Sequence, residues 1–291
     1  MQNNTVLSRI FDVCNYVFLL LYGLLCFFPF LYIVSASFAD SAEIISRSIF
    51  LVPHNPTVAA YEYIISSPVL PRSLLVSIGV TFAGTVISMA VTMSMAYAVS
   101  KTYLVGRKII MGFVTFTLVF SGGMIPTFLV VKMLGLIDHF AALILPVCVN
   151  TFNLIVIKNF FQRLPTELED AARIDGCNDM RIFVNIVLPL SMPVIATFTL
   201  MYAVGYWNDY FNSLIYLNNT KKWPLQIMLR QIVMFSQGGI DEASVDEAYV
   251  KPPAQSIKMA VIVFGTLPIL AVYPFLQKHF AKGVLLGSVK G

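Results

Sequence analysis

Charged residues are scarce in this chain. Asp, Glu, Lys and Arg make up 12% of its 291 residues, and hydrophobic residues make up 58%. An ordinary soluble domain is roughly 25% charged. The composition therefore excludes a soluble globular domain and indicates a polytopic membrane protein. The net charge of +4 is small enough to need no nucleic-acid partner.

The sequence also lacks the common motifs for catalysis, nucleotide binding and metal binding. It contains no Gly-x-x-x-x-Gly-Lys-Ser/Thr, so it has no phosphate-binding loop for hydrolysing ATP. It contains no Gly-x-Ser-x-Gly and no pair of intramembrane carboxylates for acid–base catalysis. His54, His139 and His279 share no metal-ligand spacing. Four cysteines, mostly in apolar runs, indicate no disulfide framework. We expect no catalytic residue, metal or cofactor on this chain.

Six apolar runs are long enough to cross a bilayer, which requires about 20 residues. Each should be a helix, because lipid offers no partner to the backbone of a single apolar run. The predicted fold class is all-α, with six transmembrane helices. The runs are 13–38, 73–99, 109–131, 140–157, 187–213 and 257–275.

The distribution of Lys and Arg predicts the orientation. With the N-terminus inside, eleven of the 19 basic residues lie in cytoplasmic segments. Short cytoplasmic loops of membrane proteins carry this excess of positive charge. We therefore expect a multi-pass protein with both termini in the cytoplasm. The eleven residues are Arg9, Lys101, Arg107, Lys108, Lys158, Arg163, Arg173, Arg181, Lys278, Lys282 and Lys290.

One charged segment, 167–189, lies between the fourth and fifth apolar runs. Thr166 and Glu169 have the spacing of a capping box, which predicts a helix starting directly after Thr166. Gly176 is suited to the left-handed residue that ends a helix, and Asn178 to the cap of the next one. Small and apolar residues form one stripe on this helix, namely Leu168, Ala171, Ala172 and Asp175. The helix either lies on its own membrane domain or receives another protein.

This segment resembles the EAA loop of the membrane subunits of bacterial ABC importers. The family pattern is Glu-Ala-Ala, a Gly four residues on, and a later Ile-x-Leu-Pro. The matching residues here are Asp170, Ala171, Ala172, Gly176, Ile186, Leu188 and Pro189. Asp170 replaces the usual Glu, which should weaken its contact without abolishing it. In the family this loop is a cytoplasmic coupling helix seated in the ATPase subunit. The resemblance implies ATPase coupling through Glu169, Asp170, Ala171, Ala172, Asp175 and Gly176.

Further segments resemble the MalG-like permeases of carbohydrate importers. They are 96–101, 206–211 and the C-terminal 277–291, while 120–136 is similar to the branch that imports oligosaccharides derived from complex polysaccharides. The matches cover nearly the whole chain. They imply a single permease domain, 1–291, with the type I ABC importer fold, a core of about 70–275 and the coupling loop at 165–189.

Several residues are candidates for a substrate pathway. Gly122 and Gly123 interrupt the third run, which indicates either a packing kink or a break that lines a cavity. Asp209 lies 20 residues past Pro189, about 30 Å along a straight helix, so it should lie near the outer boundary. It has either a structural role there or a contact with the sugar or the binding protein. Amides and aromatic rings suit sugar hydroxyls and sugar rings, and the other candidates are Asn150, Asn153, Tyr202, Tyr206, Trp207 and Asn208.

The resemblance implies a permease subunit that forms half of the translocation pathway of an ATP-driven oligosaccharide importer in the bacterial cytoplasmic membrane. Its expected partners are a second homologous permease, two ATPase subunits that carry ATP and Mg, and an extracytoplasmic solute-binding protein. The alternatives are an ion-coupled secondary transporter, an ABC permease for a non-sugar solute, and an intramembrane enzyme. A secondary transporter should have charged residues in mid-helix, and the chain has almost none.

Overall fold

The computed structural model describes residues 6–47, 49–235 and 255–288. Every regular element in these residues is a helix, which confirms the all-α fold class. The first helices are α1 (Val6–Ser37), α2 (Ser41–Ser46), α3 (Ala59–Ser66), α4 (Val69–Ser100), α5 (Arg107–Val119), α6 (Met124–Met133), α7 (Ala141–Ile144) and α8 (Thr151–Phe161). The later ones are α9 (Thr166–Ile174), α10 (Asp179–Ile182), α11 (Leu188–Leu190), α12 (Met192–Trp207), α13 (Phe211–Tyr216), α14 (Leu225–Phe235) and α15 (Gln255–Ser288).

Helices occupy all six predicted spans, but three of the spans are not straight. Within the described residues, α1, α4 and the first part of α15 are each long and apolar enough to cross a membrane. The fourth span bends by 55° between α7 and α8, and the fifth bends by 84° between Leu190 and Met192. The third is divided into α5 and α6, of 13 and 10 residues. Neither of these reaches the length of about 20 residues that a bilayer requires.

The break in the third span lies where the glycines predict it. Phe120 to Gly123 are not helical, and Gly123 has φ +83° as the residue that precedes α6. Thr127 donates its hydroxyl to the Gly123 carbonyl at 2.8 Å, which satisfies an acceptor next to the break. Pro126 falls in the first turn of α6, where a missing N–H leaves no helical bond unmade. The predicted interruption is confirmed.

The bend in the fifth span contradicts the expectation of one straight helix from Pro189 to Asp209. A π-helical turn, Phe183–Val187, precedes α11, and the chain then turns at Ser191. The Ser191 hydroxyl donates to the Val187 carbonyl at 2.6 Å. The straight run is only α12, whose 16 residues span about 24 Å. The 30 Å estimate was wrong because the proline-containing segment changes direction before α12.

The chain divides into two compact units. The first comprises Met1–Pro71 and Leu229–Leu267. Here Ala36, Ala39 and Phe50 are buried together at the C-terminal end of α1. Ser37 shares a 2.7 Å hydrogen bond with the Tyr61 hydroxyl of α3. These contacts anchor the segment that follows α1.

The second unit comprises Arg72–Met228 and Pro268–Gly291 and contains the larger core. Asp138 stabilises the loop between α6 and α7. It has φ +62°, and its carboxylate accepts from the backbone N–H groups of Asn218 and Asn219 at 2.7 and 2.8 Å. These backbone hydrogen bonds, with that of Asn219 contributing most, lower the pKa of Asp138. The loop before α7 is thereby held against the segment that follows α13.

Two hydroxyl pairs join α4 to α12 inside the second unit. Ser88 shares a 2.7 Å hydrogen bond with the Tyr206 hydroxyl, and Thr92 shares a 2.8 Å bond with the Tyr202 hydroxyl. All four residues are buried. Gly84 makes room for this contact, because a Cβ on it would lie 2.8 Å from the Tyr206 ring.

We predict that Gly84→Ala destabilises the protein by about 1–3 kcal/mol, because the methyl group must displace the Tyr206 ring from Ser88. Denaturant titration of the detergent-purified protein measures the change. Gly79→Ala is the matched control, since a Cβ at Gly79 of the same helix meets no atom within 4 Å. It should be neutral or stabilising by up to about 1 kcal/mol. Equal effects of the two substitutions would contradict the close packing at Gly84.

Candidate functional site

The start of α9 differs from the prediction. The helix begins at Thr166, with Pro165 as the N-cap residue and no side-chain hydrogen bond at the cap. Glu169 does not reach back to the cap; its carboxylate accepts a hydrogen bond from the Lys101 ammonium group. The predicted capping box is therefore wrong. A charge-assisted bond to a largely shielded ammonium group is stronger than a bond to an exposed backbone N–H.

The end of α9 is as predicted. Gly176 has φ +80°, and its N–H donates to the Arg173 carbonyl at 3.0 Å. The Cys177 N–H donates to the Ala172 carbonyl at 2.9 Å, and the two bonds together form a Schellman motif. Asn178 then caps α10, its side chain accepting from the Arg181 N–H at 2.9 Å. The turn between α9 and α10 is thus fixed by local chemistry.

The predicted stripe on α9 is not a single buried face. Ala172 and Glu169 are buried, whereas Ala171 and Leu168 are exposed. The side of the helix that carries Glu169 and Ala172 faces inward, where Glu169 forms its ion pair with Lys101. The outward side presents four exposed residues, namely Asp170, Ala171, Ile174 and Asp175. Ile174 is 88% exposed, which is high for a large apolar side chain.

We predict that Gly176→Val lowers substrate uptake, because a β-branched residue at φ +80° is strained by about 1–3 kcal/mol and distorts this turn. A Cβ there meets no atom within 4 Å, so the effect comes from the backbone alone. Gly176→Asn is the matched control, since Asn adopts this conformation more readily. Substrate uptake, corrected for the amount of protein in the membrane, measures both variants. Equal uptake by the Val variant and the unsubstituted protein would contradict this role of the turn.

A cavity of about 270 Å³, lined by both polar and apolar residues, lies in the second unit between α8 and α12. Asn150 caps α8 by accepting from the Asn153 N–H at 3.1 Å, and its own N–H donates to the Tyr202 hydroxyl at 3.0 Å. This brings the start of α8 against α12. The polar residues that line the cavity are Asn150, Asn153, Tyr202, Tyr206, Asp209 and Asn212.

Asp209 combines a structural contact with a position on the cavity. Its carboxylate accepts from the Asn212 side-chain amide at 2.9 Å and from the Asn212 N–H at 3.3 Å. It also accepts from the Ser213 hydroxyl at 3.4 Å. These bonds hold the first turn of α13, and the same residue lines the cavity. The two interpretations that the sequence leaves open are therefore compatible.

The structure separates the other candidates from this cavity. Gly122 and Gly123 lie exposed at the break between α5 and α6. Trp207 is buried, and its indole N–H has no hydrogen-bond partner among the described residues. Asn208 is exposed and donates to the Val204 carbonyl at 2.9 Å. None of these four lines the cavity.

Sequence reasoning missed Asn212 and Lys101. Asn212 could have been found from its position three residues after Asp209, a spacing that suits a helix start. Lys101 carries no such signal for its pairing, because 68 residues separate it from Glu169.

Comparison with known proteins gives consistent results. A family model described as "Binding-protein-dependent transport system inner membrane component" matches residues 101–286. The chain is 54% identical over 284 residues to the polygalacturonan/rhamnogalacturonan transport system permease protein YtcP of Bacillus subtilis (strain 168), covering 98% of this chain and 99% of that protein. It is also 54% identical to the protein LplC of the same strain over 290 residues, covering 100% of this chain and 98% of LplC.

A solved structure is also similar. It is a crystal structure of a bacterial ABC transporter involved in the import of the acidic polysaccharide alginate. The match has a TM-score of 0.87 and 31% sequence identity, and it covers 96% of this chain and 100% of that chain. A likeness of this extent includes the backbone of nearly every helix described above.

Proposed function

Because the chain belongs to the family of binding-protein-dependent transport system inner membrane components, we propose that it is the permease subunit of an ATP-driven importer of oligosaccharides. It forms half of the translocation pathway. The names of two similar proteins support this substrate class, since one refers to polygalacturonan and rhamnogalacturonan and the other to alginate. Membership of this family also disfavours an ion-coupled secondary transporter.

The observation that carries the proposal is the cavity between α8 and α12. Three amide side chains, two phenol rings and the Asp209 carboxylate line a space of about 270 Å³, together with Val147, Met201 and Gly205. Amides and hydroxyls pair with sugar hydroxyls, and aromatic faces pack against sugar rings. Among the described residues that line it, none is Lys or Arg. The cavity therefore suits the hydroxyl face of a neutral or weakly acidic oligosaccharide and does not compensate a strongly anionic solute.

Four of the candidate pathway residues lie outside this cavity. Gly122, Gly123, Trp207 and Asn208 would belong to other parts of the pathway, outside this cavity. The break at Gly123 leaves backbone groups that only protein or water can satisfy inside a bilayer, which favours a position along a polar path.

The energy for transport comes, in this proposal, from two ATPase subunits that bind ATP and Mg. The outward side of α9 is their contact, since Asp170, Ala171 and Ile174 lie exposed there, and Asp175 and Gly176 continue it. Glu169 and Ala172 support this side from within. Asp170→Glu should be tolerated, because it restores the usual residue of the EAA pattern at an exposed position.

The other proposed partners are a second, homologous permease and an extracytoplasmic solute-binding protein. The second permease supplies the other half of the pathway, including any cationic groups that an acidic sugar requires. The binding protein delivers the oligosaccharide and carries most of the selectivity. All of these proteins assemble in or at the bacterial cytoplasmic membrane.

We predict that both termini are cytoplasmic, from the distribution of Lys and Arg. In a variant without native cysteines, Ile45→Cys should label with a membrane-impermeant thiol reagent in intact cells, and Val105→Cys should not. Both positions are accessible in the structure, since Ile45 is 77% exposed and Val105 is 93% exposed. Accessibility alone therefore cannot explain a difference between them. Labelling of Val105→Cys with protection of Ile45→Cys would reverse the topology.

We predict that Asn150→Ser lowers oligosaccharide uptake about three- to ten-fold, the loss of one or two hydrogen bonds to a sugar. Serine keeps an oxygen for capping α8 but removes the amide donor from the cavity. Binding of the sugar to the solute-binding protein should not change. Asn159→Ala is the control, because Asn159 lies exposed on the same helix and does not line the cavity.

The substrate class has a separate test in the purified complex. ATPase activity should rise with an oligosaccharide-loaded binding protein. Stimulation only by a binding protein loaded with amino acids or peptides would make the sugar assignment wrong, although the importer assignment would stand. A complex without ATPase subunits would contradict both.

A further inference from the structure

We propose that the ion pair between Lys101 and Glu169 is the mechanical link through which α9 moves α4. In this role Lys101 and Glu169 are positioning residues that connect the proposed ATPase contact to the cavity. The inference rests on the proposed function, since it requires that an ATPase subunit displaces α9. It assigns to Lys101 a role that the EAA pattern does not contain.

The ion pair is shielded from water. The side chains of Lys101 and Glu169 are only 14% and 12% exposed. The Lys101 ammonium group also lies 4.3 Å from the ring centroid of Tyr97, one turn earlier on α4. Charges that are removed from solvent interact more strongly than surface charges, and losing one partner leaves the other uncompensated. The link therefore resists separation when α9 moves.

A second contact fixes the orientation of α9. Arg173 lies one turn after Glu169 and donates to the Tyr103 hydroxyl at 2.9 Å and to Asp179 at 3.1 Å. The bond to Asp179 raises the pKa of Arg173. Lys101 and Tyr103 both belong to the segment that leaves α4. Two contacts one turn apart prevent α9 from rolling independently of that segment.

The last turn of α4 is itself tied to its surroundings. The Arg107 side chain donates to the Val99 carbonyl at 2.8 Å, and the Gln162 amide donates to the Ser100 carbonyl at 3.1 Å. These side chains satisfy two of the carbonyls that a helix end leaves without intrahelical partners. A displacement of Lys101 therefore moves a secured helix end and is not absorbed by a frayed one.

The continuation of α4 reaches the cavity. Thr92 and Ser88 lie two and three turns before the end of this helix and bond the hydroxyls of Tyr202 and Tyr206. Both tyrosines line the cavity. A rigid displacement of α4 thus moves the two tyrosines that α12 contributes to the cavity. The contacts run without interruption from α9 through Lys101 and α4 to the polar residues of α12.

There is space for this movement. A second cavity of about 300 Å³ adjoins the ion pair and is lined by Tyr97, Lys101, Tyr103, Asp179 and Phe183. The hydroxyl of Tyr97 is buried without a hydrogen-bond partner among the described residues. Side chains of α10 can shift toward α4 into this space while Lys101 and Glu169 stay together.

The test uses the purified complex in proteoliposomes and measures sugar transported per ATP hydrolysed. Lys101→Met and the nearly isosteric Glu169→Gln should lower this ratio about five-fold or more, while ATPase subunits still co-purify and ATP is still hydrolysed. Lys108→Met is the matched control, because it removes the same charge from an exposed position in the first turn of α5 and should leave the ratio unchanged. A purely structural role would lower transport and ATPase activity together.

Rescue distinguishes the pair from its individual members. Lys101→Glu and Glu169→Lys should each lower the ratio, and the double variant should recover about half or more of the loss. Lys101→Arg, which keeps the charge, should retain the ratio. An unchanged ratio in Glu169→Gln, with normal assembly, would overturn the link and leave the importer proposal intact. Failure of the unsubstituted complex to bind ATPase subunits would instead overturn the proposed function.

Discussion

The structure depends on one constraint, which is that a bilayer offers no hydrogen bonds to a broken helix. Each interruption of a predicted span is accompanied by a side-chain oxygen that bonds the backbone nearby. Thr127 donates to a carbonyl at the first break, Asn150 accepts an N–H at the second, and Ser191 donates to a carbonyl at the third. These polar groups allow bends in an apolar chain, and one of the bends brings amides next to the phenols of α12.

The same polar side chains therefore satisfy the backbone at the breaks and line the cavity. Asn150 caps α8 and lines the cavity, and Asp209 holds the start of α13 and lines the cavity. A residue with both tasks is difficult to replace, because a substitution that preserves one task changes the other.

The features that the sequence predicts are those that depend on neighbouring residues. Gly123 and Gly176 adopt positive φ where glycine is favoured, and Asn178 caps the helix that directly follows it. What the sequence could not predict depends on distant residues. Glu169 has a capping spacing, but the partly buried ammonium group of Lys101 competes for it from 68 residues away. Similarly, Pro189 indicates that the helix can be interrupted nearby, but it does not predict an 84° change of direction.

The two hydroxyl pairs between α4 and α12 also give this contact a defined step. Ser88 and Thr92 are four residues apart, as are Tyr202 and Tyr206, so a slide of one helical turn places Thr92 opposite Tyr206 or Ser88 opposite Tyr202. At such a position one hydroxyl pair is formed again, whereas a slide of half a turn leaves every hydroxyl without its partner. Neighbouring stable positions of this interface therefore lie about 6 Å apart, the rise of four helical residues, and the positions between them are the least stable.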